Sequence, residues 1–570
     1  MKSTIKIFFI LTLFSGWSCT DFLDRPPLDQ IGIDDYWKSS VDLKNYTARF
    51  YESLPYHENN LSTAGRESAT TNVTYRTANS ILNGETTLST GSWQSGFAPI
   101  RSVNIFLDNY NKCEDPYSSW KQYLGEAQFF KAWIYFDLVQ TYGDVPWYTH
   151  ALTPDDEAEL IKPRDSRIVV VDSILSLLDK AIINLEKKDE APWGNNSINK
   201  EAALAFKSRV ALFEGTWQKY HSDDEFGTPG ADPDKYFQAC VNAGNELING
   251  DYNVGIYSTG NSDQDYFDLF KTGDMGAVSE VLLYRAYNIG EFIGHNQNYY
   301  NTTTPSELGA TWEYVSSHLG NDGEPIDYLS IAQEVKGNDF LEMLASDVDL
   351  RLRQSIWIPG DVQHYPSNVI FDFPPIFAGS RENNPTGFQV KKYANPEQEL
   401  DYANANDAGR IIFRYGEVLL NYAEALEELN GTVAYDELNL LRARAGMPDF
   451  EVLSQDADPN KIDYGYDISD ALYEIRRERR VELAFEVLRE QDWKRWAAHE
   501  LFLNKRPKGY PFSSMEFPDE SPVVDENGLL DPLQVELSSG YNFIPGRNYL
   551  ESVPQTELTL NPNLSQNPGW

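Results

Sequence analysis

The sequence predicts a mostly α-helical protein, a scaffold of packed helix pairs carrying irregular, loop-rich insertions and a few short strands. Three observations predict it. Several long stretches place apolar residues at helical spacing between caps and stops. Other stretches have no such period and are rich in Gly, Asn, Ser and Thr. And among 570 residues, 41% are hydrophobic and 24% charged, with a mean hydropathy of -0.49, which is the balance of a globular chain with a real core rather than a polytopic membrane protein.

Residues 119–142 put Trp120, Leu124, Ala127, Phe130, Ile134 and Leu138 on one face, with Ser118 or Ser119 as cap and Gly143 as stop. A second helix is expected over about 167–187 behind Ser166, with Val170, Ile174, Leu178, Ile182 and Leu185 on its apolar face, and a third from Asn199 to Gly215 through Ala202, Phe206, Val210 and Phe213. Residues 412–429 read as a helix ending at Asn430-Gly431, and 433–445 begin another. Tyr415, Ala425, Leu429, Gly431 and Ala434 follow a loose tetratricopeptide pattern, in which a pair cannot bury its apolar face alone and so stacks on others. A last long helix is expected over 470–496.

Between these blocks, residues 57–96 hold 23 Ser, Thr, Asn or Gly in 40 positions and five charged residues. Residues 250–400 are rich in Gly, Pro, Asn and aromatics, with strand-like pieces at 281–284 and 389–393. Both read as loops laid over a helical scaffold, where binding residues tend to sit.

Lys plus Arg is 47 against 87 Asp plus Glu, a net charge of -40. Such a surface repels phosphate backbones, so nucleic acid is excluded as a partner. Cys19, Cys113 and Cys240 cannot build a disulfide framework or a four-thiolate metal site. Lys2 and Lys6 precede an eight-residue apolar run, Ile7 to Phe14, too short to span a bilayer, which reads as an export signal. Gly16-Trp17-Ser18-Cys19 resembles a bacterial lipoprotein cleavage site with Cys19 as the acylated first residue, although Gly16 stands where Leu is usual. An ordinary signal peptide cut nearby is the alternative.

Enzyme motifs are scarce. HExxH, GxSxG, P-loop and GxGxxG patterns are absent, the seven His have no ligand spacing, and no cofactor or metal is implied. Glu478, Glu482 and Glu486 share a helical face, but interleaved Arg residues would hold them ionised, so inter-helix ion pairing is the expected role. A glycosidase needs only two facing carboxylates, and among 87 acids such a pair can hide.

The expected ligand contacts lie in the two low-charge segments. Sugar recognition combines aromatic faces for ring CH groups with amide, guanidinium and carboxylate partners for hydroxyls. In 57–96 the suppliers are Asn72, Tyr75, Arg76 and Trp93, with core packing the alternative for Trp93. In 284–314, seven aromatics fall in 31 residues. Tyr287, Tyr299 and Tyr300 stand among Gly, Asn and Thr, Trp312 is platform or packing, and Tyr284 is a core candidate. These residues are expected to meet in a shallow arc.

The chain resembles the SusD/RagB family of outer-membrane nutrient-binding lipoproteins over nearly its whole length. The resemblance rests on Asp21-Phe22-Leu23-Asp24 and Tyr36-Trp37 after Cys19; on Glu126-Ala127 through Tyr142-Gly143-Asp144-Val145-Pro146; on Arg164, Ser166 and Ala203 to Arg209; on Arg414-Tyr415 through Ala423-Glu424-Ala425; on Arg442 with Arg444-Ala445-Gly446; and on Glu478-Arg479-Arg480, Asp492 with Arg495-Trp496, and the closing Gln566 to Trp570. It implies about four tetratricopeptide-like helix pairs, lipid anchoring at the cell surface, and a SusC-like TonB-dependent transporter as partner. The organisation expected is a signal peptide over 1–18 and a single body over 19–570, with helical parts at 19–250 and 406–570 flanking a ligand-facing part at 251–405. The function expected is capture of an oligosaccharide or polysaccharide for import, without catalysis. Oligopeptide capture by the same architecture is the alternative, and a glycosidase a more distant one.

Overall fold

The computed structural model describes residues 36–89, 93–191, 194, 196–401 and 403–570. The export signal and Cys19 lie outside the described residues.

The scaffold starts with α1 (Ser40–Thr47), whose first turn is closed by a capping box between Ser39 and Asp42. α2 (Gln94–Asn109) and the 26-residue α3 (Tyr117–Tyr142) follow. α3 is buried on most sides: Phe129, Phe130, Ala132, Tyr135 and Val139 are fully covered, because α1, α2 and α4 (Arg167–Asn184) all pack on it. It stops at Gly143, whose φ of 73° is one that a side-chain-bearing residue rarely adopts. α5 (Lys200–Tyr220) is capped by Asn199, whose side chain accepts from Ala202 N at 2.8 Å. α6 (Pro233–Asn249) begins with Pro at its first position, a start absent from the expectations above. α5 and α6 pack closely where Gly215 meets Phe237; a Cβ there would lie 2.8 Å from the ring.

The C-terminal helices are α7 (Tyr415–Asn430), α8 (Tyr435–Arg444), α9 (Asp470–Leu483) and α10 (Arg489–Arg495). α7 packs on α5, α6, α8 and α9, which joins the two helical blocks into one scaffold. The consecutive pairs α3/α4, α5/α6 and α7/α8 are the stacked units.

Three expectations need correction. First, residues 410–414 form a strand rather than the start of a helix. With β1 as Val73–Thr74, β2 as Val281–Arg285, β3 as Gly309–Ala310, β4 as Val362–His364 and β5 as Val369–Ile370, this last strand is β6 (Arg410–Arg414). β6 pairs antiparallel with β2, Arg285 opposite Arg410 and Val281 opposite Arg414. A short apolar run buried on both faces carries no period that separates strand from helix. Second, the helix expected over 470–496 breaks after Leu483. Phe485 and Val487 take φ of 65° and 68°. The break is held from outside: Val487 N donates to Glu67 Oε1 at 2.7 Å, and Phe485 is buried in a second core. Third, residues 389–393 make one bridge, Val390 with Ile356, and no strand.

The large core lies among the helices. The second core belongs to the irregular part, where Trp312, Tyr314, Phe340, Leu344, Ile356 and Phe388 pack with Phe485, Tyr510 and Leu530. That separate core makes the loop-rich region a solid body fixed to the scaffold.

Candidate functional site

The charge run that looked like acid/base material spans α9 and the residues just after it, and its carboxylates Glu478, Glu482, Glu486 and Asp492 are each paired with Arg. Arg414 reaches Glu482 at 2.7 Å, Glu280 at 2.8 Å and Glu486 at 2.7 Å. Arg351 bridges Glu478 (2.5 Å) and Glu482 (3.0 Å); Arg442 holds Glu478 at 2.6 Å, and Arg444 holds Glu482 at 2.5 Å. Burial by itself would raise the Glu482 carboxyl, but Arg444, Arg414 and Arg351 hold it far below the usual carboxylate range. Burial opposes ionisation of Glu424 too, and the Arg495 fork at 2.6 and 2.7 Å brings it down to about 2. A carboxyl held this way neither donates nor accepts a proton near neutral pH. The run is structural.

The two low-charge segments converge. β1 pairs with β3, Val73 opposite Ala310 and Thr74 opposite Gly309. Thr63 N donates to Gln297 Oε1 at 2.8 Å, Asn296 Nδ2 to Asn59 O at 3.0 Å, and His57 N to the Tyr287 hydroxyl at 2.6 Å. Behind this join the His57 and His295 rings sit 4.5 Å apart, with His57 Nδ1 2.7 Å from Thr63 Oγ1 and His295 Nε2 2.9 Å from Ala408 O. Burial pushes both imidazoles down, His295 to about 4, so both are neutral at pH 7.

The stretch 52–66, braced in this way, forms one wall of an open groove of about 650 Å³. The facing wall is the α3 stripe of Trp133, Asp137 and Gln140. β6 supplies Arg410, Ile411, Ile412 and Arg414, the break after α9 supplies Glu486 to Leu488, and α10 supplies Glu490 and Gln491. Tyr56 presents a ring that is 53% exposed, with the Arg285 guanidinium 5.5 Å from its centre. Trp133 is half-buried, its indole N–H donating to Ser53 O at 3.3 Å. Glu58 and Arg66 pair at 2.5 Å on the wall. Gln140 and Arg410 are among the lining residues, although Gln140 Nε2 and Arg410 Nε themselves are buried and have no hydrogen-bond partner in the protein. The groove therefore offers flat rings and carboxylates within one concavity. Among the described residues, no group of three or more His, Cys, Asp or Glu is placed to hold a metal ion.

The expected contact residues do not form one arc. Tyr287 is on the braced wall, half-buried and stacked on His57 at 5.6 Å, and Tyr75 is half-buried beside Gly65. Arg76 is exposed, and Tyr299 is half-buried edge-on to Tyr300, whose hydroxyl donates to Asn59 O at 3.3 Å. Three others are corrected by the structure. Asn72 is fully buried, donating to Glu67 at 2.9 Å and accepting from Arg480 Nε at 2.9 Å. Trp93 is 5% exposed and stacks on Tyr142 in the helical core; Trp312 is 7% exposed and stacks on Phe340 at 5.7 Å in the second core. Each ring serves a core that the local sequence does not display. Conversely, Tyr56, Trp133, Asp137, Gln140 and Arg410 were missed. Trp133, Asp137 and Gln140 do share a helical face at i, i+4 and i+7, a readable signal masked by the apolar residues around them.

A helix-pair scaffold holding a loop-walled, aromatic and polar groove defines a ligand-holding protein. Residues 279–570 match the model of the SusD family, and residues 21–212 match a model described as starch-binding associating with outer membrane. The chain belongs to the SusD family. SusD-like protein P2 of Formosa agariphila is 23% identical over 99% of both chains, and SusD-like protein P38 of the same organism is 24% identical over 78% of this chain and 82% of its own. A SusD-like carbohydrate binding protein from Bacteroides fragilis superposes with a TM-score of 0.73 at 22% identity, covering 93% of this chain and 100% of its own. A laminarin binding SusD-like protein superposes at 0.56 and 17% identity, covering 94% and 100%. These likenesses establish the fold. Among the described residues, no helix is long and apolar enough to cross a membrane.

Proposed function

We propose that the protein captures an oligosaccharide or polysaccharide at the cell surface and passes it to a SusC-like TonB-dependent transporter, anchored through acylated Cys19 and without turning the ligand over. The groove is the observation that carries this reading: an exposed ring at Tyr56 and carboxylates at Glu58 and Asp137 match what sugar rings and hydroxyls require. The paired carboxylates of α9 support the non-catalytic part. The outer-membrane description of the matched family model supports the location, and the carbohydrate-binding relatives support the ligand class. Tyr75, Arg76, Tyr287 and Tyr299 extend the contact surface beyond the wall that Tyr56 begins.

The test is titration of the signal-free chain with a panel of polysaccharides and of peptides. A polysaccharide should bind, and Tyr56→Ala should weaken it by about five-fold to two-hundred-fold, the equivalent of about 1 to 3 kcal/mol, with an unchanged melting temperature. Binding of peptides alone, or sugar release abolished by one carboxylate substitution, overturns the reading.

A further inference from the structure

A second cavity, of about 460 Å³, lies on the opposite face of α2 from the groove: Ser95, Gly96 and Pro99 line the groove, whereas Phe97, Ile100 and Arg101 line this one. Its other walls come from the segment after α3 and from the C-terminal tail, with Leu152, Leu560 and Leu564. The lining is mainly apolar, and Leu160 and Leu560 at its edge are 46% and 75% exposed. Large apolar side chains left in water around a concave apolar surface mark a binding site.

Most polar groups there are already engaged within the protein. Asn104 donates to Tyr148 O and His150 O and accepts from Lys131 Nζ at 2.7 Å. Glu557 accepts from Trp93 N, Asn561 donates to Lys162 O at 2.9 Å, and His150 faces Asp156 at 3.4 Å. Arg101 is exposed at this cavity and has neither an ion-pair nor a hydrogen-bond partner among the described residues. In a chain of net charge -40, with most of its cations paired to carboxylates, an unpaired guanidinium beside an apolar cavity is complementary to one kind of ligand.

We propose that this cavity binds a small amphipathic carboxylate, with its acyl or aryl body against Phe97, Ile100, Leu152 and Leu564 and its carboxylate on Arg101. The site is separate from the glycan groove and does not depend on it.

Calorimetric titration of the signal-free chain with octanoate, and with octanol as its uncharged counterpart, tests the proposal. Octanoate should bind saturably at one site. Arg101→Gln should weaken octanoate roughly ten-fold or more while leaving octanol unchanged, because only the charge-assisted contact is lost. Leu152→Trp should fill the cavity and abolish both. Thermal melts of both variants confirm that the fold is kept, and polysaccharide binding should be unaffected by either. Absence of saturable octanoate binding, equal weakening of octanoate and octanol by Arg101→Gln, no weakening at all, or full binding by Leu152→Trp each overturns it.

Discussion

The helical scaffold and the irregular part are held together by different chemistry. Around α9 the packing is tied by Arg–Glu pairs, with Arg442 and Arg444 of α8, Arg414 of β6 and Arg351 from the adjoining irregular part converging on Glu478, Glu482 and Glu486. In the irregular part the work is done by amides. Asn298 Nδ2 donates to Asn395 O at 2.7 Å, Asn301 Nδ2 to Lys392 O at 2.8 Å, Gln389 Nε2 to Asn301 O and Thr302 O, and Asn384 Nδ2 to Leu308 O. A helix pairs its own backbone groups, so its side chains are free to pair with one another. A buried loop cannot, and its N–H and C=O groups need side-chain partners. The difference teaches that an Asn-rich, low-charge stretch is as much the signature of buried irregular backbone as of a ligand surface.

The comparison is broken most severely from the scaffold side. Arg414→Ala removes the cation that Glu280, Glu482 and Glu486 share, leaving three buried carboxylates to Arg351, Arg444 and Lys392, and should cost about 3 to 5 kcal/mol in urea unfolding, enough to prevent folding in a marginal chain. Trp312→Ala attacks the second core and should cost a comparable 3 to 5 kcal/mol, roughly, while the folded fraction binds polysaccharide as the parent does. Normal stability with lost binding would return Trp312 to the ligand surface. Asn298→Ala removes bonds to Asn395 O and Gln398 O and should cost about 1 to 3 kcal/mol, which would show the amides to be structural.

The join between the two segments adds a pH dependence. His57 and His295 have pKa values lowered by burial, His295 to about 4, against about 6.5 in an unfolded chain. The unfolded state therefore binds more protons below pH 6.5. The stability they contribute is complete above that pH and is lost as pH falls towards 4, by about 1 kcal/mol per imidazole between pH 6.5 and 5.5. Stability-against-pH curves of the parent and His295→Gln should differ by that slope, and parallel curves would remove His295 from the account. The smallest effect is expected at the exposed Arg76, where Ala should change stability by less than about 0.5 kcal/mol.

How legible each part was depends on how far away its cause lies. The helix ending at Gly143 was readable because apolar period and left-handed stop fall within one stretch, although it starts at Tyr117 behind Pro116, with no side-chain cap, and not at Ser118 or Ser119. The ion pairing of Glu478 and Glu482 was readable in outline because Arg and Glu interleave along one helix, although their main partners, Arg351, Arg414 and Arg444, come from elsewhere. Trp93 and Trp312 were ambiguous because a ring beside a polar loop looks the same whether its other face meets solvent or a core built from residues such as Phe340. Tyr56 and Arg410 gave no sign at all: neither stands in a distinctive local pattern, and they become neighbours only when 52–66 packs near β6.

The sequence by itself determined the helical blocks and the family, because periodicity and ordered motifs are properties of the chain whatever its packing. Only the tertiary structure decided where α9 ends, because that break is held by Glu67 more than four hundred residues away. It alone decided that 410–414 is a strand, because β2 is its partner. And it alone made the groove, whose walls come from stretches far apart in the chain. A concave site is a relation between surfaces, and no single stretch of sequence carries it.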